Sequence, residues 1–249
     1  MLDFLPSGNK NLVAGVDGCQ GGWMVVLRDR TALKTKAFVI ADFKELLQMN
    51  EQPSVIAVDI PIGLLEHAVR GGRECDKEAR RLLKDRACCV FNSPSRPALL
   101  SRRSGGDYYA VSKANAANSP HGIKLSKQSF SIMPKIIEVD LVITPVLQNR
   151  IFEIHPELSF FEANGAKPLS NGKKTKKGQK TRINILTNLE YNIQHLIHSL
   201  PKRDGFSDDD ISDACIACWT AERIARDTAT RIPDHPPLDP RGLRMEMWR

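Results

Sequence analysis

The chain is poor in aromatic residues, with three tryptophans and three tyrosines among 249 residues, and it has no apolar run approaching the length of a membrane span. That absence excludes a bilayer-crossing helix, and no membrane partner is expected. The opening MLDFLPSGNK lacks the basic region, apolar stretch and small-residue cleavage site of a secretory leader, so a cytoplasmic location is expected. No internal repeat is evident. Six cysteines are present, but Cys88 and Cys89 are adjacent, and the Cys215–Cys218 pair lies inside an apolar helical pattern without a second pair of ligands nearby. Reduced thiols are the expectation. What the chain does have is 41% hydrophobic residues, enough for a sizeable core in one large domain, and a net charge of +7. Such a charge favours polyanionic partners such as nucleic acid.

Apolar runs at Leu12 to Val16, Trp23 to Leu27 and Ala37 to Ile40 read as strands, the first two joined through the glycine-rich turn of VAGVDGCQGGW. Asp42 caps a short predicted helix ending near Asn50, and SVIAVDIPIG follows as a further strand closed by Asp59 and a proline. From residue 73 to 145 the character changes. RECDKEARRLL is charged and helical, with Asp76 and Arg80 one turn apart. A helical stretch from Gln128 to about Val142 meets Pro134 early, so its start is expected after that residue. RIFEIHPEL reads as a strand, and NGKKTKKGQKTR, with six positive charges and two glycines, as a solvated loop. Helical spacing resumes at Ile183, and SDDDISDACIACWTAERIARD opens a last helix with the capping pair Ser207 and Asp210. The tail after Pro233 reads as extended.

Asp17 and Asp59 share one local setting: apolar residues before, a glycine or proline soon after, and a small residue (Gly15, Ala57) two positions upstream on the same face, which would leave room above the carboxylate. Glu153 alternates with Phe152 and Ile154, and His155 shares its face. On the last helix Asp210 and Asp213 lie about a turn apart, and Asp213 is too deep for its charge to serve the helix start. If these elements meet, several carboxylates converge and need a cation; hard divalent ions such as Mg²⁺ or Mn²⁺ prefer such ligands. Each residue also has a structural alternative. A strand-end Asp can bond local turn amides, Glu153 can pair with a Lys or Arg, Asp210 can cap its helix, and His155 can be a structural imidazole.

The segments VAGVDGCQGGW, VIAVDIPIGL, RECDKEARRLL with VFNSPSRPAL, SKQSFSIMPKIIEVD, IFEIHPELSF and DDISDACIACWTA together resemble the family labelled domain of unknown function 429, regarded as predicted RNase H-like nucleases. The resemblance spans about Val13 to Arg226. It implies an α/β, RNase H-like fold related to Holliday-junction resolvases: a five-stranded mixed sheet, its first three strands antiparallel, flanked by helices. On this reading 11–232 form the domain, with about 73–145 a helical insertion and 233–249 a C-terminal tail. Carried over residue by residue, the resemblance makes Asp17, Asp59, Glu153 and Asp213 the catalytic carboxylates, and Asp17, Asp59, Asp210 and Asp213 the ligands of Mg²⁺ or Mn²⁺. Arg96 and Lys135 match family motifs and are expected to face phosphate. The basic stretch adds Lys173, Lys174, Lys176, Lys177, Lys180 and Arg182 as a grip on a DNA or RNA backbone.

The leading expectation is thus a metal-dependent nuclease. The alternative is a non-catalytic nucleic-acid or protein binding module on a degenerate RNase H-like fold. A phosphotransferase on the same fold is a third reading, but no second glycine-rich phosphate loop is present. The sequence leaves a homo-oligomer open.

Overall fold

A computed structural model describes residues 8–117, 119–201 and 204–249. The first seven residues, on which part of the no-leader reading falls, lie outside the described residues. In chain order the elements are β1 (Asn9–Cys19), β2 (Gly22–Asp29), β3 (Thr35–Ile40), α1 (Phe43–Gln48), β4 (Pro53–Val58), α2 (Glu74–Leu83), α3 (Arg96–Arg103), α4 (Tyr108–Ala117) and α5 (Lys127–Val142). There follow β5 (Ile151–Glu153), α6 (Pro156–Ala163), α7 (Lys176–Asn188), α8 (Ile193–Ser199) and α9 (Asp208–Ile224), then short strands β6 (Arg231–Ile232) and β7 (Met247–Trp248). They fall into two compact units. One takes the described residues up to Asp59 together with Arg150–Thr230 and Trp248–Arg249; the other takes Ile60–Asn149 and Arg231–Met247.

The first unit is built on a mixed sheet of order β3-β2-β1-β4-β5, antiparallel among β1, β2 and β3 and parallel between β1 and β4 and between β4 and β5. This is the five-stranded α/β sheet, flanked by helices, that the resemblance implies. β2 is buried along almost its whole length, which is why it reads as a continuous apolar run rather than as an alternation. On one face Val13, Met24, Val26 and Ala57 pack with α9 in a single core; Trp23, from the other set, meets Phe43 of α1 edge-on at 5.1 Å.

Gly15 belongs to the α9 face, and its smallness has a different purpose from the one expected. A Cβ there would come within 2.1 Å of the Ala214 carbonyl oxygen and the Cys218 amide nitrogen. The space is filled by the backbone of α9 itself, so the glycine permits contact between helix and strand rather than a ligand cavity.

Local chemistry explains the helix boundaries. Asp42 and Glu45 form a reciprocal capping box at α1, as do Ser207 and Asp210 at α9. Three expectations require correction. α5 starts at Lys127, N-capped by Ser126, and runs through Pro134. Its cap, together with the burial of Met133, Ile136 and Val139, outweighs one missing amide donor. RIFEIHPEL is a strand only as far as Glu153: His155 caps α6, and Pro156 occupies the first helical turn, where a missing N–H costs nothing. The basic stretch is half helical, because Thr175 caps α7, which begins at Lys176, seven residues before Ile183. The second unit contains the sequence-based boundaries 73 and 145 and also takes in most of the tail, whose Leu243, Met245 and Met247 are buried.

Candidate active site

Strand pairing decides which acids meet. Val16 lies opposite Val58 in the parallel ladder, and the Asp59 amide donates to the Val16 carbonyl at 3.0 Å, so Asp17 and Asp59 stand side by side just past the same rung. Residues 13, 15 and 17 share the face covered by α9, and Asp213 on that helix completes a cluster of three. Asp17 and Asp213 are buried, at 8% and 3% exposure, and Asp59 is half-buried.

Among the described residues neither Asp17 nor Asp59 accepts a hydrogen bond or forms an ion pair, so neither is the turn former that a strand-end aspartate commonly is. The consequence is electrostatic. Burial raises the Asp17 carboxyl well above the ordinary carboxylate range; Asp59, Asp213 and Asp210 push it further and Lys173 opposes them. Burial also raises Asp59, against the pull of His155 and Lys173. Asp213 is pushed up to about 6 by burial, opposed by Lys173, with Asp59 raising it further.

Lys173 is the chief counter-charge. Its Nζ lies 2.6 Å from Asp213 Oδ2. Burial acts to lower its pKa, but Asp213, Asp17 and Asp59 outweigh that and hold it above the usual lysine value. Sequence reasoning assigned this residue to nucleic acid; the pairing partner, 40 residues away, leaves no local trace in the sequence. Asp210 does two things. Its Oδ2 accepts the Ser207 amide at 2.7 Å in the capping box, while its charge is felt by Asp17.

Other expected site residues are placed elsewhere. Glu153 is in register with Val58, not with Ala57, so it projects from the sheet face opposite Asp17 and Gly15; it is buried there, and it leaves the catalytic set. His155 accepts the Glu157 amide on Nδ1 at 3.2 Å as the α6 cap. Arg182 is 2% exposed and ion-paired with Glu157, with further bonds to the Asn171 and Gly178 carbonyls, so it cannot grip a backbone from outside. Arg96 is clamped between Asp140 and Asp239, at 2.6 Å from each, and Lys135 bonds Glu138 at 3.2 Å; burial and pairing remove Arg96 from phosphate-facing work, and Lys135 is engaged on its own helix. Lys174, Lys176, Lys177 and Lys180 are exposed.

The donor set is all oxygen, which suits a hard divalent cation. Two buried or half-buried carboxylates without partners among the described residues are what such an ion would satisfy. With Lys173 drawn onto Asp213, no group of three or more His, Cys, Asp or Glu among the described residues stands ready-placed around one ion position. Cys215 and Cys218 are buried against β1, the latter thiol pushed up to about 12 by burial, which fits inert reduced thiols.

The family described as "Protein of unknown function (DUF429)" matches residues 15–238. No curated protein and no solved structure matches the chain. The family match runs across both units and takes in Asp17, Asp59 and Asp213, so the chain belongs to the DUF429 family.

Proposed function

We propose that this protein is a cytoplasmic metal-dependent nuclease whose Asp17, Asp59 and Asp213 hold Mg²⁺ or Mn²⁺ for phosphodiester hydrolysis. One observation carries the reading: two carboxylates, unpartnered among the described residues and side by side just past the same rung of neighbouring parallel strands, face a third on α9, all with raised pKa. A buried cluster of acids is costly to keep unless a cation shares it. A bound divalent ion would supply a water of lowered pKa and charge neutralisation at a phosphoryl oxygen. The chain's own part is to fix three carboxylates on a strand ladder and a rigid helix, with Asp210 adding negative charge from the first turn of α9.

The exposed lysines support nucleic acid as substrate. Lys176, Lys177 and Lys180 occupy the first turns of α7 and Lys174 precedes them, with no acid in the first turn. Positive charge there opposes the helix macrodipole, so these lysines do not serve the helix and are free to neutralise phosphates. The test is incubation with Mn²⁺ and DNA or RNA of varied structure beside an Asp17→Asn variant. Wild type is expected to cleave and the variant to fall to background; equal cleavage refutes the assignment.

The Lys173–Asp213 pair favours a second reading, in which the acids are neutralised internally and the fold only binds. That reading expects no cation response. A rise of several degrees in melting temperature with millimolar Mn²⁺, lost in Asp59→Asn, decides against it.

A further inference from the structure

Within the second unit the chain forms a half-open cavity of about 410 Å³, a size that suits a small organic ligand. Arg80 and Lys124 line it, and among the described residues no Asp or Glu does. The helical spacing of Asp76 and Arg80 suggests an ion pair, but Asp76 is taken by Arg73, whose Nη2 lies 2.9 Å from Oδ1. Arg80 instead donates from Nε to the Val90 carbonyl at 3.0 Å, from Nη1 to the Gly71 carbonyl at 2.6 Å, and from Nη2 to Asn92 Oδ1. All three acceptors are neutral. The guanidinium is therefore fixed in direction, has no carboxylate partner among the described residues, and keeps N–H donors to spare.

The backbone is shaped for this. Gly71 and Gly72 have φ of 82° and 74°, and a Cβ on Gly72 would come within 3.1 Å of Asn92 Oδ1 and 2.5 Å of Asp76 Oδ2. Asn115 has both ends of its amide engaged, accepting the Ser95 amide and donating to the Ile123 carbonyl, so it builds the wall. The Ser93 hydroxyl, also lining the cavity, makes no hydrogen bond among the described residues. Phe91 lines the cavity while 45% exposed.

A rigid, uncompensated guanidinium in an acid-free cavity recognises an oxyanion, and an exposed phenyl ring beside it recognises a flat aromatic face. We propose that this cavity binds a nucleoside monophosphate group: phosphate oxygens on Arg80 and Lys124, base against Phe91, and a sugar or base edge on Ser93. The group occurs both as a free nucleotide and at the phosphorylated end of a strand. The site uses only second-unit residues and does not depend on the carboxylate cluster.

Calorimetric titration of the full chain in EDTA tests it, with the four nucleoside monophosphates, adenosine, inorganic phosphate and a 5′-phosphorylated dinucleotide as probes. At least one monophosphate is expected to bind one to one, about tenfold or more tighter than adenosine or phosphate alone. Phe91→Ala and Lys124→Ala should each weaken it about tenfold with the melting temperature unchanged, and Asp17→Asn should leave it intact. Tighter binding of the dinucleotide identifies the strand end as the ligand; tighter binding of the monophosphate identifies the free nucleotide. The proposal is overturned if no monophosphate binds at about 5 mM, if both rim variants bind like wild type, or if phosphate alone binds as tightly.

Discussion

Asp213 carries the clearest measurable consequence at the scale of single residues. Burial, with Asp59 adding and Lys173 opposing, pushes it to about 6 from an ordinary 3.8. The folded protein therefore keeps a proton that the unfolded chain has already released, and the associated stability is complete below about pH 4 and lost as pH rises through about 6. In divalent-free buffer, the stability of wild type relative to Asp213→Asn should fall by up to about 3 kcal/mol between pH 4 and 7, and millimolar Mn²⁺ should restore it at pH 7. Denaturant melts of both proteins across that range check this; a flat difference would show that the carboxyl titrates normally. Gly15 is the other decisive residue. Because its missing Cβ lies against main-chain atoms of α9 that no rotamer change can move, Gly15→Ala should cost at least the upper end of the ~1–3 kcal/mol usual for overpacking, read as a lowered melting temperature.

At the scale of elements, α9 draws the core and the site together. Its far end carries Glu222, 5% exposed, whose Oε1 is 3.0 Å from Arg28 Nε on β2 and accepts the Tyr191 hydroxyl at 2.7 Å. Glu222 Oε2 also lies 3.2 Å from Nη2 of the half-exposed Arg226, so Arg28→Met should destabilise in urea melts by less than the about 3–5 kcal/mol of a fully orphaned buried charge, and adding Glu222→Leu should recover part of that loss. Elements with local signals were legible in sequence. The α1 and α9 caps are written within four residues each, and the β1 and β4 runs end visibly in Asp17 and Asp59. Elements fixed by tertiary context were not. Pro134 reads as delaying the helix start but is tolerated inside a packed helix, and α6 and the lysine-rich start of α7 hide behind an apparent strand and an apparent loop. Glu153 shows the same limit: its alternation was plain, but only the register against Val58 reveals which sheet face it takes. Lys173 and Arg96 looked like surface cations because their carboxylate partners lie far along the chain.

For the molecule as a whole, a net charge of +7 gives a broad attraction for polyanions that is not tied to one site. The exposed lysines before and along the first turns of α7 concentrate part of it in the unit that also holds the three aspartates. Replacing Lys174, Lys176, Lys177 and Lys180 together by Gln should leave stability unchanged but flatten the dependence of log affinity on log salt for duplex DNA by about 3–4, as read by fluorescence anisotropy. An unchanged slope would remove these lysines from the proposed interface.

The pairing of Val16 with Val58 has a final implication. A slip of one position between β1 and β4 would turn an acid towards the wrong side of the sheet. Correct assembly of the sheet and possession of the acidic cluster are then a single event, so a misaligned chain cannot present the three aspartates together, and any selection for the proposed chemistry would also guard the folding.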